Sequence, residues 1–285
     1  MNVLPHQSTI KKWLSSVNLE PGISIAALKH VSELCLKAEV DEKKLYFSLT
    51  CDEMAIRKHV EFDGKKWHGF VDVGNKTNDC ENNTEATNVF VFMLVGINIY
   101  FKIVIAYYFI HTLTGKEKSY ILNDILHVAH DHSILICNIT FDGASTNICM
   151  VQELGAKITT PNNLQTYFQH PVTQKPITVM LDACHMLKLV RNTLAAKGCF
   201  TDINGKLINW NYLILLVNKQ EEEGFHLAVK IRRRHIDFKN EKMKVKLAAQ
   251  IFSSSVANAL KCCEEDLKLA EFQGNTNSRI LSNNK

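Results

Sequence analysis

The chain has 285 residues, a formal net charge of +4 and 46% hydrophobic residues. That length suits one large domain or two smaller ones, and the composition excludes global disorder. The weak positive balance is compatible with a nucleic-acid partner without demanding one.

In chain order, residues 1–40 read as a helical lead-in: Ser8 offers a cap, Pro21 and Gly22 break the pattern, and Ser24 to Ala38 resumes it with Ile25, Leu28, Val31, Leu34 and Cys35 on one face. Lys44 to Asp52 reads as a buried strand ending in a carboxylate. Glu61 to Gly64 is a turn, Trp67 to Val73 a second strand, and Asn75 to Thr87 a polar loop. Asn88 to Ile110 is apolar enough to be weighed as a membrane span. Gly96, Asn98 and Lys102 interrupt it, and its Val, Ile, Phe and Tyr content favours two strands with a turn near Asn98, so no membrane is expected. Thr114 to His132 carries a helical stripe of Ser119, Leu122, Ile125, Leu126 and Ala129. Ser133 to Phe141 is the next strand, ending at Asp142, and Ser145 to Leu154 is a helix closed by Gly155.

Pro161, Pro171 and Pro176 punctuate what reads as a linker. Ile177 to Asp182 is a short strand, Ala183 to Lys197 a helix ended by Gly198, and the sequence from Trp210 onward is mostly helical with a break at Glu221 to Gly224. Residues 275–285 are polar and read as frayed. Strands followed by helix-rich sequence suggest a mixed α/β sheet domain and then a mostly helical one, with the boundary between Gly155 and Pro176. The nine cysteines are scattered without a Cys-x-x-Cys pair, which points to reduced thiols in a cytosolic or nuclear protein, and the N-terminus lacks a signal-peptide pattern.

Three stretches invite chemistry. Asp52 and Asp142 each end a buried strand, where a carboxylate is desolvated unless it meets a donor or a cation. Held together, they would bind Mg²⁺ or Mn²⁺ for phosphoryl chemistry on nucleic acid; held apart, they would cap turns or helices. Glu53 would point to the opposite side of its strand. The second stretch is 181–192, where Asp182 leads a helix and Cys184, His185, Lys188 and Arg191 could crowd a polyanion at its N-terminus; the alternative is an N-capped helix with a solvated basic face. The third runs from Gly224 to Leu260. Its basic clusters at 230–235 and 239–246 would neutralise phosphates or form a solvated face, and Ser253 to Ser255 would break the helix or contact a phosphate.

The strings at 182–192, 234–236 and 243–260, together with Tyr167 to Pro171 and Asp142-Gly143, resemble the P-element transposase family, which includes transposase-derived proteins carrying a THAP zinc finger. The resemblance covers roughly Ser8 to Leu260. It implies an α/β fold: an RNase H-like, retroviral-integrase-like mixed sheet with helices, interrupted by a mostly helical GTP-binding insertion. The expected division is a lead-in over 1–40, an RNase H-like core over 41–160 and the insertion over 176–285, both domains being incomplete. The family's metal-binding triad is Asp, Asp and Glu. Asp52 and Asp142 match its first two members as catalytic and metal-binding residues, for Mg²⁺ or Mn²⁺. Asp182 and Lys188 match the insertion's Asp-x-x-His-x-x-Lys pattern as contacts to GTP, which promotes synapsis and is not consumed.

The same resemblance implies DNA cleavage and strand transfer, DNA transposon ends as partners, a homo-oligomer or a hetero-oligomer with full-length transposase, and a nuclear location. The family's third carboxylate lies beyond the insertion, and Glu264, Glu265 and Glu271 do not match it. A truncated transposase is therefore expected. The alternative is a catalytically inactive, domesticated regulator that binds nucleotide, DNA or transposase.

Overall fold

The computed structural model describes residues 6–9, 20–64, 66–74, 84–202, 205 and 207–274. It separates into two compact units that meet in sequence between Leu181 and Asp182. The cap expected at Ser8 leads into residues outside this set, as do most of the 75–87 loop and the polar end at 275–285.

The first unit is built on a seven-stranded sheet of order β1-β6-β5-β2-β7-β9-β8. Its strands are β1 (Gly22–Ile23), β2 (Phe47–Ala55), β5 (Asn88–Gly96), β6 (Lys102–Ile110), β7 (Ile136–Phe141), β8 (Tyr167–Gln169) and β9 (Pro176–Leu181). The hairpin β3 (Glu61–Phe62) and β4 (Trp67–His68) stands apart from it. Strands β2, β5 and β6 form an antiparallel meander, and β2, β7 and β9 run parallel. The expected turn at Asn98 is present, and Asn98 pins it by accepting from the Tyr46 amide and donating to the Lys44 carbonyl. No helix among the described residues is long and apolar enough to cross a membrane.

Strand alternation decides which face is core. On β2, Phe47, Leu49 and Cys51 are buried, whereas Ser48, Thr50 and Asp52 are more exposed. On β7, Ile139 and Phe141 are buried, while Asn138 and Thr140 pair with Ser48 and Thr50 on the polar face. Helices α1 (Ile25–Val40), α2 (Gly115–Asp131) and α3 (Ser145–Glu153) contribute to the apolar core, with Leu28 and Val31 from α1, Leu122 and Ile125 from α2, and Met150 from α3. Helix α2 begins in a reciprocal capping box between Thr114 and Glu117.

Three sequence expectations change here. Strand β2 extends three residues past Asp52, because its antiparallel ladder with β5 runs on to Ala55. The strand expected over Trp67 to Val73 is only the two-residue β4, followed by isolated bridges at Phe70 and Asp72. The proline-punctuated stretch is structured: β8 pairs antiparallel with β9 and closes the sheet edge, the strand rule for proline being met because Pro171 sits in the turn and Pro176 at a strand start.

The second unit is mainly helical: α4 (Ala183–Lys197), α5 (Asn211–Glu223), α6 (Arg233–Ile236), α7 (Val245–Ile251) and α8 (Ser254–Lys261), with a small hairpin of β10 (Cys199–Thr201) and β11 (Leu207–Asn209). Gly198 and Gly224 end α4 and α5 in left-handed geometry, at φ 78° and 63°, a conformation that costs other residues a steric clash. The Ser253 break expected from sequence is the junction of α7 and α8, where its hydroxyl donates to the Gln250 carbonyl. Leu194, Trp210, Leu213, Leu216, Ile251 and Leu260 lie in its core.

Candidate carboxylate and nucleotide sites

Strands β2 and β7 are paired in parallel with Thr50 opposite Thr140. Two residues further along each chain stand Asp52 and Asp142. Neighbouring strands lie about 4.8 Å apart, so this register sets the two carboxylates side by side at the same end and on the same face of the sheet. Asp52 Oδ1 accepts from the Glu53 amide at 2.8 Å. Asp142 Oδ1 accepts from the Ala144 amide at 3.1 Å and from Asn147 Nδ2 at 2.7 Å. Each carboxylate thus has Oδ1 held by protein donors and Oδ2 turned to none among the described residues. The capping-type bonds expected of isolated strand-end carboxylates are present in both. Hard oxygen donors of this kind fit Mg²⁺ or Mn²⁺ as two ligands of a larger set. Among the described residues, no group of three or more His, Cys, Asp or Glu side chains gathers to complete it.

Below the pair, Cys51 faces the core. Burial pushes its thiol well up; Lys118 opposes this, while Asp52, Asp142 and Glu53 add to it. That thiol is inert as a nucleophile near neutral pH. Lys118 is 1% exposed and emerges from the first turns of α2. Its ammonium pairs with Glu53 Oε1, donates to Thr146 Oγ1 at 2.8 Å and to Asn147 Oδ1 at 2.7 Å, and lies 5.1 Å from the Phe90 ring centroid. An unpaired buried ammonium would cost several kcal/mol; here three acceptors meet its three N–H donors. Glu53 points away from Asp52, as strand alternation requires, and serves Lys118 instead.

In the second unit, Asp182 is the N-cap of α4. Its Oδ1 accepts from the Cys184 amide at 3.0 Å and its Oδ2 from the His185 amide at 3.1 Å. Lys188 is half-buried on the same helix. Six residues of helix separate the two by about 9 Å along the axis. Next to Asp182 an apolar groove opens, lined by Ala183, Met186, Leu187, Val190 and Phe252. Arg191 does not join a surface cluster. It is fully buried, its guanidinium 4.2 Å from the Phe238 ring centroid, with Nη2 donating to the Lys242 carbonyl and Nε to Asn192 Oδ1. Burial lowers its pKa, with Glu241 opposing.

The basic clusters at 230–235 and 239–246 are partly spent on internal partners. Arg233 pairs with Glu221, Arg234 and Lys244 both pair with Glu241, and His235 is buried against Gln250. Glu264, Glu265 and Glu271 lie in the second unit: Glu264 accepts from the Gly274 amide, Glu265 pairs with Lys261, and Glu271 is exposed.

Sequence reasoning missed Lys118 and Asn147. A signal existed for the lysine. It lies four residues before Leu122, on the apolar stripe of α2, and a lysine on a buried stripe needs a partner. Nothing in the sequence marked Asn147, whose role depends on α3 meeting α2.

The chain matches the family model for the TNP-like RNase H N-terminal domain over residues 19–155 and that for the TNP-like GTP-binding insertion domain over residues 184–279. It is 28% identical to the human DNA transposase THAP9 over 261 residues, covering 90% of this chain and 28% of that protein. It is 27% identical to the Drosophila melanogaster transposable element P transposase over 262 residues, covering 91% of this chain and 31% of the relative. The chain therefore spans about a third of the length of these curated relatives. The Drosophila P element transposase strand transfer complex has the same fold, with a TM-score of 0.75 at 23% identity, over 98% of this chain and 57% of that one. Both domain models and both relatives agree: the chain belongs to the P-element transposase family and carries its RNase H-like N-terminal and GTP-binding insertion domains.

Proposed function

We propose that the chain contributes to a P-element-type DNA transposase, in which Asp52 and Asp142 are two of the catalytic metal ligands and the second unit binds GTP as a cofactor that is not hydrolysed. The observation that supports this is the parallel register of β2 and β7, which brings the strand ends bearing Asp52 and Asp142 together, with Oδ2 of each turned to no donor among the described residues.

Asp52 and Asp142 would hold a divalent cation there, which would supply charge neutralisation for phosphodiester chemistry. The protein's part is orientation: the Glu53 amide fixes Asp52, and Asn147 with the Ala144 amide fixes Asp142. In cleavage, a water oxygen bonds to phosphorus as the 3′-oxygen leaves with its electron pair and takes up a proton. In strand transfer, that 3′-hydroxyl oxygen bonds to a phosphorus of the target strand as the target's own 3′-oxygen leaves that phosphorus with its electron pair, and the proton given up by the attacking hydroxyl is balanced by the one taken up by the leaving oxygen. DNA transposon ends are the proposed partner, in the nucleus, in an oligomer of this chain or with a full-length transposase. For GTP, the reading assigns Asp182 to accept from guanine N–H groups, the groove beside it to take a purine face, and Lys188 to meet phosphate.

A second reading is a non-catalytic regulator that binds nucleotide, DNA or transposase. Thermal melts of the purified chain with millimolar Mn²⁺, GTP or ATP test both. A ligand that binds the folded state alone raises the midpoint. A Mn²⁺ shift lost in Asp52→Asn and in Asp142→Asn is the expected outcome of the catalytic reading, and a GTP-selective shift lost in Lys188→Ala that of the nucleotide site. A GTP shift with no Mn²⁺ shift favours the regulator, and no shift with either ligand overturns both site assignments.

A further inference from the structure

We infer that Lys118 is the positioning residue of the carboxylate pair: one buried ammonium clasps both strand ends and sets the orientation of Asp52 and Asp142 together. The inference rests on the metal reading above for its purpose, but its geometry stands without a metal.

The two arms of the clasp are alike. On one side Lys118 pairs with Glu53 Oε1, and the backbone amide of that same Glu53 donates to Asp52 Oδ1. On the other side Lys118 donates to Asn147 Oδ1, and Nδ2 of that same Asn147 donates to Asp142 Oδ1. Each carboxylate is thus one residue removed from the lysine, and each is held by the same oxygen.

The lysine decides more than distance. An asparagine amide has one acceptor end and one donor end. An ammonium has only donors, so Asn147 must turn Oδ1 toward Lys118, and Nδ2 is then obliged to face Asp142. Were Lys118 absent, the amide could flip and present an oxygen to a carboxylate, a repulsive contact. Glu53 is fixed by the same logic, since its carboxylate is three-tenths exposed while the lysine is 1% exposed, and an ion pair at that depth has little competition from water. Thr146 Oγ1 takes the third N–H, and the Phe90 face lies alongside the ammonium.

The test must separate positioning from folding. Lys118→Met alone leaves Glu53 unpaired and is expected to destabilise the fold. The double variant Glu53→Gln/Lys118→Met removes both charges, and replacing a whole pair is far milder than breaking it. Two readouts are taken on the full chain. The first is hydrogen exchange of the Asn147 side-chain amide by NMR, which reports the bond to Asp142 with no metal present. The second is Mn²⁺ affinity by titration. The double variant is expected to melt cooperatively within a few degrees of the parent, to exchange the Asn147 amide at least tenfold faster, and to bind Mn²⁺ about 10–100-fold more weakly, the range for partners that orient metal ligands. A folded double variant whose Asn147 amide stays as protected as in the parent overturns the clasp. If the parent itself binds no Mn²⁺, the metal reading fails, and the amide exchange still decides the clasp.

Discussion

The N-cap of α4 offers a direct measurement, because one side chain there is assigned both a structural and a ligand role. Asp182 accepts two backbone N–H bonds, from Cys184 and His185, and carries a negative charge at the positive end of the helix dipole. Loss of an N-cap of this type costs about 0.5–2 kcal/mol, and with two bonds and a charge lost together Asp182→Ala is expected near the top of that range. Asn caps nearly as well as Asp, so Asp182→Asn should lose only the charge contribution, about 0.3–1 kcal/mol. Urea unfolding of the full chain followed by helical circular dichroism measures both. Adding GTP separates the second role: a neutral amide can present its oxygen to guanine but also presents N–H donors, so Asp182→Asn should keep the cap and lose most of the GTP-induced stabilisation. Equal destabilisation by Ala and Asn would refute the capping argument, and an undiminished GTP effect in both variants would refute the nucleotide role.

Gly115 is helical, where alanine ordinarily stabilises by about 1 kcal/mol. Here an added Cβ would overlap the Cβ and Sγ of Cys149 on α3, so Gly115→Ala should instead destabilise by about 1–3 kcal/mol, with partial recovery in Gly115→Ala/Cys149→Gly measured by denaturant melts. Thr114→Ala removes the capping box of α2, at a cost of about 1 kcal/mol. Its bonds to Thr114 hold Glu117 below the usual carboxylate range, so that contribution is present above the unfolded pKa and fades as pH falls through the folded one; the Thr114→Ala deficit measured at neutral pH should shrink in acid. His170 is buried, and desolvation, with His130 and His127 nearby, lowers its pKa. Its neutral ring accepts from the Val172 and Thr173 amides. Stability from the neutral ring is therefore full above about pH 6.5 and is lost as pH falls toward the folded value, so the drop in melting temperature between pH 7.5 and 5.5 should be smaller in His170→Gln.

Much of this architecture is legible in the sequence because it is encoded locally. Alternation along 47–51 and 136–141, the capping signature at Thr114 and Glu117, the break at Ser253 and the left-handed glycines at 198 and 224 each depend on residues a few positions apart. Asp52, Asp142 and Asp182 stood out for the same reason: a carboxylate at the end of an apolar run, or before a helical one, is a local pattern. The strand expected over Ile177 to Asp182 is β9, whereas β8 is not legible, because its three residues are made a strand by the partner they find and not by their own composition.

Local pattern is enough to say which residues bear chemistry and which elements carry them. Which of them meet depends on how the strands pair and the helices pack. Asp52 and Asp142 are ninety positions apart, and their adjacency is a property of one parallel register. Arg191 looked like a surface cation and is core, because the other side of α4 packs on Phe238. Lys118 carries no mark of its partners in the sequence; α2 brings it to a buried position where its ammonium meets Glu53, Thr146 and Asn147. Hydrogen bonds and ion pairs act over a few ångströms of space, and the sequence records separation along the chain instead.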